Sequence, residues 1–401
     1  MTTTTTAPPT TRLGYIDNLR VLLTVLVIAH HCAVTYGALP VWYWAEPSTS
    51  PSGIALMLFV IVNQFWFMGA FFLLSGLFVA GSVDRKGPGA FARDRVIRLG
   101  VPLVAFLLVA RPVLSLPQWP AARAEGETFL HFWFTVGDPG PLWFVEVLLV
   151  MSLAYAAFRA LRARSTALSR PDARQTVPDA GQTVPDAGQA VADAGQAVAG
   201  RWSGPLGYRG IGLLVGVLTL AAFLWRLAVP TGTYWELGGL PTPAYLPQYV
   251  ILFVVGVLAS RRGWLAGLTP RQGRVALVAA LVSVGPALGA VALATAPGAG
   301  LLAQLGAALA ESVFAVSTIV ALLVLFRERL SGQPAWARFA ARNSFAVYVI
   351  HALVLVGVAI LLAPLTAPAG VKFLILLVLS IPLCWTFAHL LRRVPGVARV
   401  L

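Results

Sequence analysis

The stretch YIDNLRVLLTVLVIAHH, residues 15–31, decides how the rest of the chain is read. Its Leu, Val and Ile content is that of a membrane helix, yet it carries Asp17, Arg20, His30 and His31. A charge near the bilayer centre costs about 2.5–3.5 kcal/mol on insertion scales and far less at the interface, where side chains snorkel. Depth therefore sorts these four residues. Asp17 and Arg20 fall at the edge, where an i,i+3 pair is affordable either as an orienting anchor or as part of a site. At about 1.5 Å per residue His31 lies roughly 16 Å beyond Arg20, about mid-membrane. At about 100° per residue it returns to within roughly 20° of Arg20, with Asp17 within roughly 60° and His30 roughly 80° away. One face is expected to carry Asp17, Arg20 and His31 in line, with His30 packed against a neighbouring helix. Adjacent histidines do not easily ligate one metal. Two cysteines in apolar segments, Cys32 and Cys384, supply neither a CxxC site nor a disulfide framework, so no metal is expected.

The whole chain shares this character. Of its 401 residues, 58% are hydrophobic and 11% charged, and the mean hydropathy is +0.80. Soluble domains carry about 25% charged residues, so the expected class is an all-α integral membrane protein. A span needs about 20 apolar residues. On that ruler ten helices are expected, near 19–37, 54–81, 96–117, 141–159, 209–228, 244–260, 273–295, 302–326, 344–363 and 371–391. Arg111 and Pro112 interrupt the third, and the sixth and seventh have weak edges.

Charge placement supports the count. With the N-terminus cytoplasmic, 25 of the 29 Lys and Arg residues fall on one side, Arg111, Arg123, Arg226 and Lys372 being the exceptions. This is the positive-inside bias, and shifting the frame by one helix would destroy it. It accounts for the +14 net charge by topology, leaving no reason to invoke nucleic acid. The expected location is a bacterial inner (plasma) membrane with both termini cytoplasmic. Residues 1–14 read as a disordered lead without signal-peptide features. Residues 15–164 hold helices 1–4 and an Arg-rich cytoplasmic loop. Residues 165–207 read as a low-complexity cytoplasmic linker, built on a seven-residue repeat, QTVPDAG, whose Pro and Gly oppose a continuous helix. Residues 208–401 hold helices 5–10.

Several motifs, in order, resemble the acyltransferase-3 family of membrane O-acyltransferases, most closely its glucan-modifying branch. Asp17, Leu19 and Arg20 are followed after ten residues by His31. FFLLSGLF (Phe71–Phe78) contains Ser75 and Gly76. Arg95 and Arg98 form an Arg-x-x-Arg ahead of Pro102. GPLWFVEVLL contains Leu142, Trp143 and Phe144, and NSFAVYVIH ends the pattern at His351. The resemblance covers most of the chain outside 1–14 and 165–207. It implies transfer of a short acyl group from acyl-CoA, acetyl-CoA or succinyl-CoA for example, to a hydroxyl of a carbohydrate or glycolipid.

The residues accommodate that chemistry. Coenzyme A is a polyanion, and Arg93, Arg95 and Arg98, with Arg20 nearby, offer forked guanidinium donors for phosphate; plain positive-inside anchoring is the structural alternative. Acyl transfer to a hydroxyl also needs a base, and His31 is the candidate, since burial disfavours a charged imidazole. Asp17 is the carboxylate that orients or balances this line. Glu146 and Glu311 are intramembrane carboxylates and hence functional candidates, unless they simply pair with Arg111 or Arg226. Tyr348 and His351, three apart, share a helix face and are expected to line the same cavity. Ser75 lacks a G-x-S-x-G elbow and suits close helix packing instead. Trp143 belongs to the family-like segment, and Trp42, Trp44, Trp119 and Trp133 suit an aromatic belt or a sugar-stacking platform. A proton-coupled secondary transporter of a small polar metabolite is the rival reading, though no internal repeat supports it. A non-enzymatic assembly subunit would leave the line from Arg20 to His31 unexplained.

Overall fold

The computed structural model describes residues 14–39, 41–135, 137–168, 206–236 and 238–401, with backbone only at 166–168. The heptapeptide repeat and nearly all of the expected linker and lead lie outside the described residues. Among those described, ten helices are long and apolar enough to cross a membrane. They are α1 (Gly14–Tyr36), α2 (Pro51–Lys86), α3 (Pro88–Ala124), α4 (Trp143–Leu168), α5 (Tyr208–Arg226), α6 (Pro243–Arg262), α7 (Pro270–Thr295), α8 (Leu301–Arg329), α9 (Ala335–Leu362) and α10 (Ala369–Leu391). No strand is present among the described residues beyond one isolated bridge, Trp235 to Leu240.

Helix α1 is the hub, with α2, α8, α9 and α10 packed around it. It begins earlier than hydropathy alone suggests. Asn18 Nδ2 donates to the carbonyls of Leu330 (2.6 Å) and Gly332 (2.8 Å), and Gln333 Nε2 donates to the Gly14 carbonyl (2.8 Å). The α8–α9 turn thus supplies the partners that let this polar first turn stay helical. His31 lies five residues, about 7.5 Å, from the Tyr36 end of α1 and about 25 Å from Gly14, beside His351, which stands near the middle of α9.

Two further departures have backbone causes. The second helix is broken at Phe65 and Trp66, where two regular segments, Pro51–Gln64 and Phe67–Lys86, meet. The carbonyl freed there accepts from Gln248 Nε2 of α6 at 2.7 Å, which meets the requirement that backbone groups in hydrocarbon find a partner. The third helix was expected to be interrupted at Arg111–Pro112, but it continues. Wide π-helical turns at Val96–Gly100 and Phe106–Ala110 absorb Pro102 and Pro112, which have no N–H to donate.

Close packing uses small residues. Gly76 of α2 lies against Gly256 of α6, and a Cβ on either would strike the other helix's backbone. Such close approach is how helices associate where no hydrophobic driving force separates them from lipid. By contrast α5 and α7 bury little of their length and present Leu213, Leu220, Leu281 and Val282 outward, as lipid-facing helices do.

Candidate active site

The charges divide the bundle into two ends. At one end the C-terminus of α2 and the start of α3 carry Arg85, Lys86, Arg93, Arg95 and Arg98. A cavity of about 530 Å³ opens there, lined by Arg85, Lys86, Arg95 and Arg98 together with Tyr15, Phe78 and Ser260. Its one acidic lining residue, Asp94, takes Lys86 Nζ at 3.0 Å and Arg98 Nε at 3.1 Å. Arg95 lies 4.9 Å over the Phe91 ring, with its Nε unpartnered among the described residues. Arg93 is exposed and does not line the cavity, and neither does Arg20, which pairs with Asp17 at 3.6 Å. Arg85 and Lys86 were the missed members: they sit in the same loop sequence but outside the Arg-x-x-Arg spacing.

His31 belongs to the other end. Its Nδ1 lies 2.8 Å from the Val27 carbonyl one turn back on α1. A carbonyl only accepts, so Nδ1 carries the proton, and in the neutral ring Nε2 is left with its lone pair. The Trp42 ring lies 4.2 Å from His31 and the His351 ring 4.9 Å, centre to centre. His351 is fully buried and tethered the same way, Nδ1 to the Tyr348 carbonyl at 2.6 Å, with Nε2 unpartnered among the described residues. The Tyr348 hydroxyl donates to the Pro141 carbonyl, tying α9 to the turn before α4. His30 turns aside and stacks on Phe67 at 5.1 Å. The structure thus brings His31, His351 and Tyr348 together and adds Trp42, which hydropathy reads as belt.

A polar group borders this pair. Arg111 donates to Asp138 through Nε (3.1 Å) and Nη2 (2.7 Å) and lies 4.7 Å over the Tyr43 ring. Asp138 Oδ1 in turn accepts from Gly140 N at 2.7 Å. Gly140, at φ +47°, lets Tyr43 lie directly on its Cα, where any Cβ would collide. The Trp42 Nε1 and Tyr43 hydroxyl donors are buried without partners among the described residues.

The remaining candidates separate. Glu311 is closed by Arg226 in a two-pronged pair (2.9 and 2.7 Å), with Arg226 also 4.7 Å over Tyr245. Glu146 meets neither arginine: Arg111 is held by Asp138 and Arg226 by Glu311. Its carboxylate instead faces Gly238, which has φ +80° and whose Cβ would come within 3.2 Å of Oε1. Trp143 is buried between Phe72 and Tyr249. Ser75 is half-buried and lines neither the basic cavity nor the histidine pair. Asp17 and Arg20 stand at the basic end, so the expected line of three residues is real as a face of α1 but spans about 16 Å from Arg20 to His31. No group of three or more metal-ligating side chains occurs among the described residues.

A membrane bundle with ten long apolar helices among the described residues, an imidazole pair between α1 and α9 and a basic cavity away from it defines the class. A family model described as an acyltransferase domain, that of the acyltransferase-3 family, matches residues 13–389, and the chain belongs to this family. Comparison with curated proteins and with solved structures gave no match. The protein is a multi-pass membrane acyltransferase.

Proposed function

We propose that the protein moves a short acyl group from acyl-CoA to a hydroxyl of a carbohydrate or glycolipid, with His31 as general base. The observation that carries this reading is the His31 tautomer. The Val27 carbonyl holds the proton on Nδ1, so Nε2 can take one from an incoming hydroxyl. The ring is half-buried, so it keeps an open edge while most of its surroundings are apolar.

The donor enters at the opposite end. Arg85, Lys86, Arg95 and Arg98 supply more positive charge than Asp94 consumes, which suits the phosphates of coenzyme A, and this end is cytoplasmic. From Leu77, which lines the cavity, to Phe67, at the level of His30, is about 15 Å along α2. The extended thioester arm of the donor bridges that gap. The Trp42 ring, 4.2 Å from His31, carries an Nε1–H without a partner among the described residues, and this donor would serve the carbonyl oxygen as it gains charge.

The test uses full-length protein in nanodiscs with radiolabelled acetyl-CoA and succinyl-CoA. Turnover with one donor that vanishes in His31→Ala, while donor binding persists, is the expected result. Equal turnover in His31→Ala would remove the histidine from the mechanism.

A further inference from the structure

A second cleft opens beyond the C-terminal end of α1, apart from the imidazole pair. Its volume is about 760 Å³, and it lies between the α1–α2 loop and the α9–α10 turn. Tyr36, Glu46, Ser48, Ser50, Ser52, Thr366 and Lys372 supply its polar lining. The three serines form a hydroxyl chain, Ser48 to Ser50 at 2.8 Å and Ser50 to Ser52 at 3.1 Å. Backbone N–H groups of Ser50, Gly53 and Gly370 also donate to Ser48, Ser50 and Ser52 Oγ, each at 3.3 Å, so the chain keeps one hydroxyl donor and one lone pair for a ligand. The Tyr36 side chain is 1% exposed, and its hydroxyl has no partner among the described residues.

The charges in the cleft cancel. Lys372 Nζ is bound to Glu46 and lies 5.4 Å over the Tyr36 ring. Glu46 is held further by Trp44 Nε1 at 3.1 Å. A cleft built this way has no spare cation for a phosphate or carboxylate and no spare anion for an amine. It presents hydroxyls and a matched ion pair, the surface that suits a neutral polyhydroxylated ligand.

Position adds a reason. Tyr36 is five residues beyond His31 on the same helix, about 7.5 Å. The Thr35 hydroxyl donates to the His31 carbonyl at 2.9 Å, so the floor of the cleft and the base are one rigid turn of helix. We infer that this cleft is a remote subsite for the neutral glycan part of the acceptor, holding sugar units beyond the one whose hydroxyl reaches His31. The inference rests on the reading of His31 as base toward a sugar hydroxyl. Binding energy gathered away from the reacting atom is what orients a hydroxyl for attack.

Saturation-transfer NMR on the full-length protein in nanodiscs, with maltotriose and cellotriose as probes, tests it. Transfer to the sugar-ring protons is expected in the wild type and in His31→Ala. Ala367→Phe, which fills the cleft, should abolish it, and Tyr36→Phe should weaken the apparent affinity about fivefold. No transfer from either trisaccharide in the wild type, or undiminished transfer in a folded Ala367→Phe protein, overturns the subsite. Acetyl-CoA turnover measured beside it separates the two readings. Sugar binding that fails while turnover still depends on His31 removes the cleft alone. Sugar binding that persists when turnover ignores His31 removes the base alone.

Discussion

The two ends of this bundle handle charge in opposite ways. At the basic end Arg85, Lys86, Arg95 and Arg98 share one lining carboxylate, Asp94. At the histidine end three cations each have a carboxylate of their own: Arg111 with Asp138, Arg226 with Glu311, Lys372 with Glu46. Surplus positive charge beside water is available to a polyanion, whereas a matched, buried pair is committed to structure. What remains for chemistry beside His31 is largely uncharged, namely two imidazole edges, an indole N–H, and phenol and serine hydroxyls, with the Glu146 carboxylate against Gly238 held by no arginine. The donor and the acceptor of one reaction would thus be recognised at opposite ends by opposite kinds of group.

The comparison breaks most readily at His31. His31→Ala should lower acyl transfer by about 10²–10⁴-fold, the usual worth of a positioned general base, with the fold retained. Transfer assays at fixed membrane expression read this directly. Next is the matched pair. Arg226→Leu leaves Glu311 buried without its partner and should cost about 3–5 kcal/mol, while Arg226→Leu with Glu311→Leu should recover most of that. Thermal unfolding in detergent measures both, and equal losses in the single and double variants would show that the two charges are not committed to each other.

The surplus charges should behave differently. Arg95→Ala and Arg98→Ala should each weaken acyl-CoA binding roughly tenfold, about 1.4 kcal/mol, raising KM with little change in kcat. The loss should shrink as salt rises. An Arg98→Ala enzyme with unaltered KM would make that end an anchor rather than a binding site. Smallest is Asp84→Asn. Asp84 holds Arg159 at 2.8 Å and Arg261 at 3.3 Å on the exposed basic surface. Pairs of this kind contribute about 0–1 kcal/mol, so the melting temperature should barely move.

How much of this was legible in the sequence follows a physical division. Spans are set by apolar length, and all ten expected helices appear among the described residues. Their ends are less legible, because a polar turn stays helical when a neighbour satisfies it. Gln333 does this for Gly14, and the stretch Ala335–Asn343 opens α9 ahead of its apolar part. The break at Phe65 was hidden for the same reason, since the group that supports it, Gln248, is 183 residues away. Among the candidate residues, a shared helix face was readable for Tyr348 and His351. Which carboxylate was spoken for was not, since Glu146 and Glu311 look alike in sequence and differ only in whether an arginine from another helix arrives.

Sequence alone determined the class, the helix count and the side on which positive charge gathers. Those depend on local quantities: the cost of polar groups in hydrocarbon, the length of an apolar run and the charge of the loops between runs. Tertiary structure decided the sites. Trp42 lies on His31, Asp138 takes Arg111, and Lys372 closes on Glu46 across 326 residues of chain. Such pairings arise from which helices become neighbours, and neighbour choice depends on surfaces contributed by the entire chain at once.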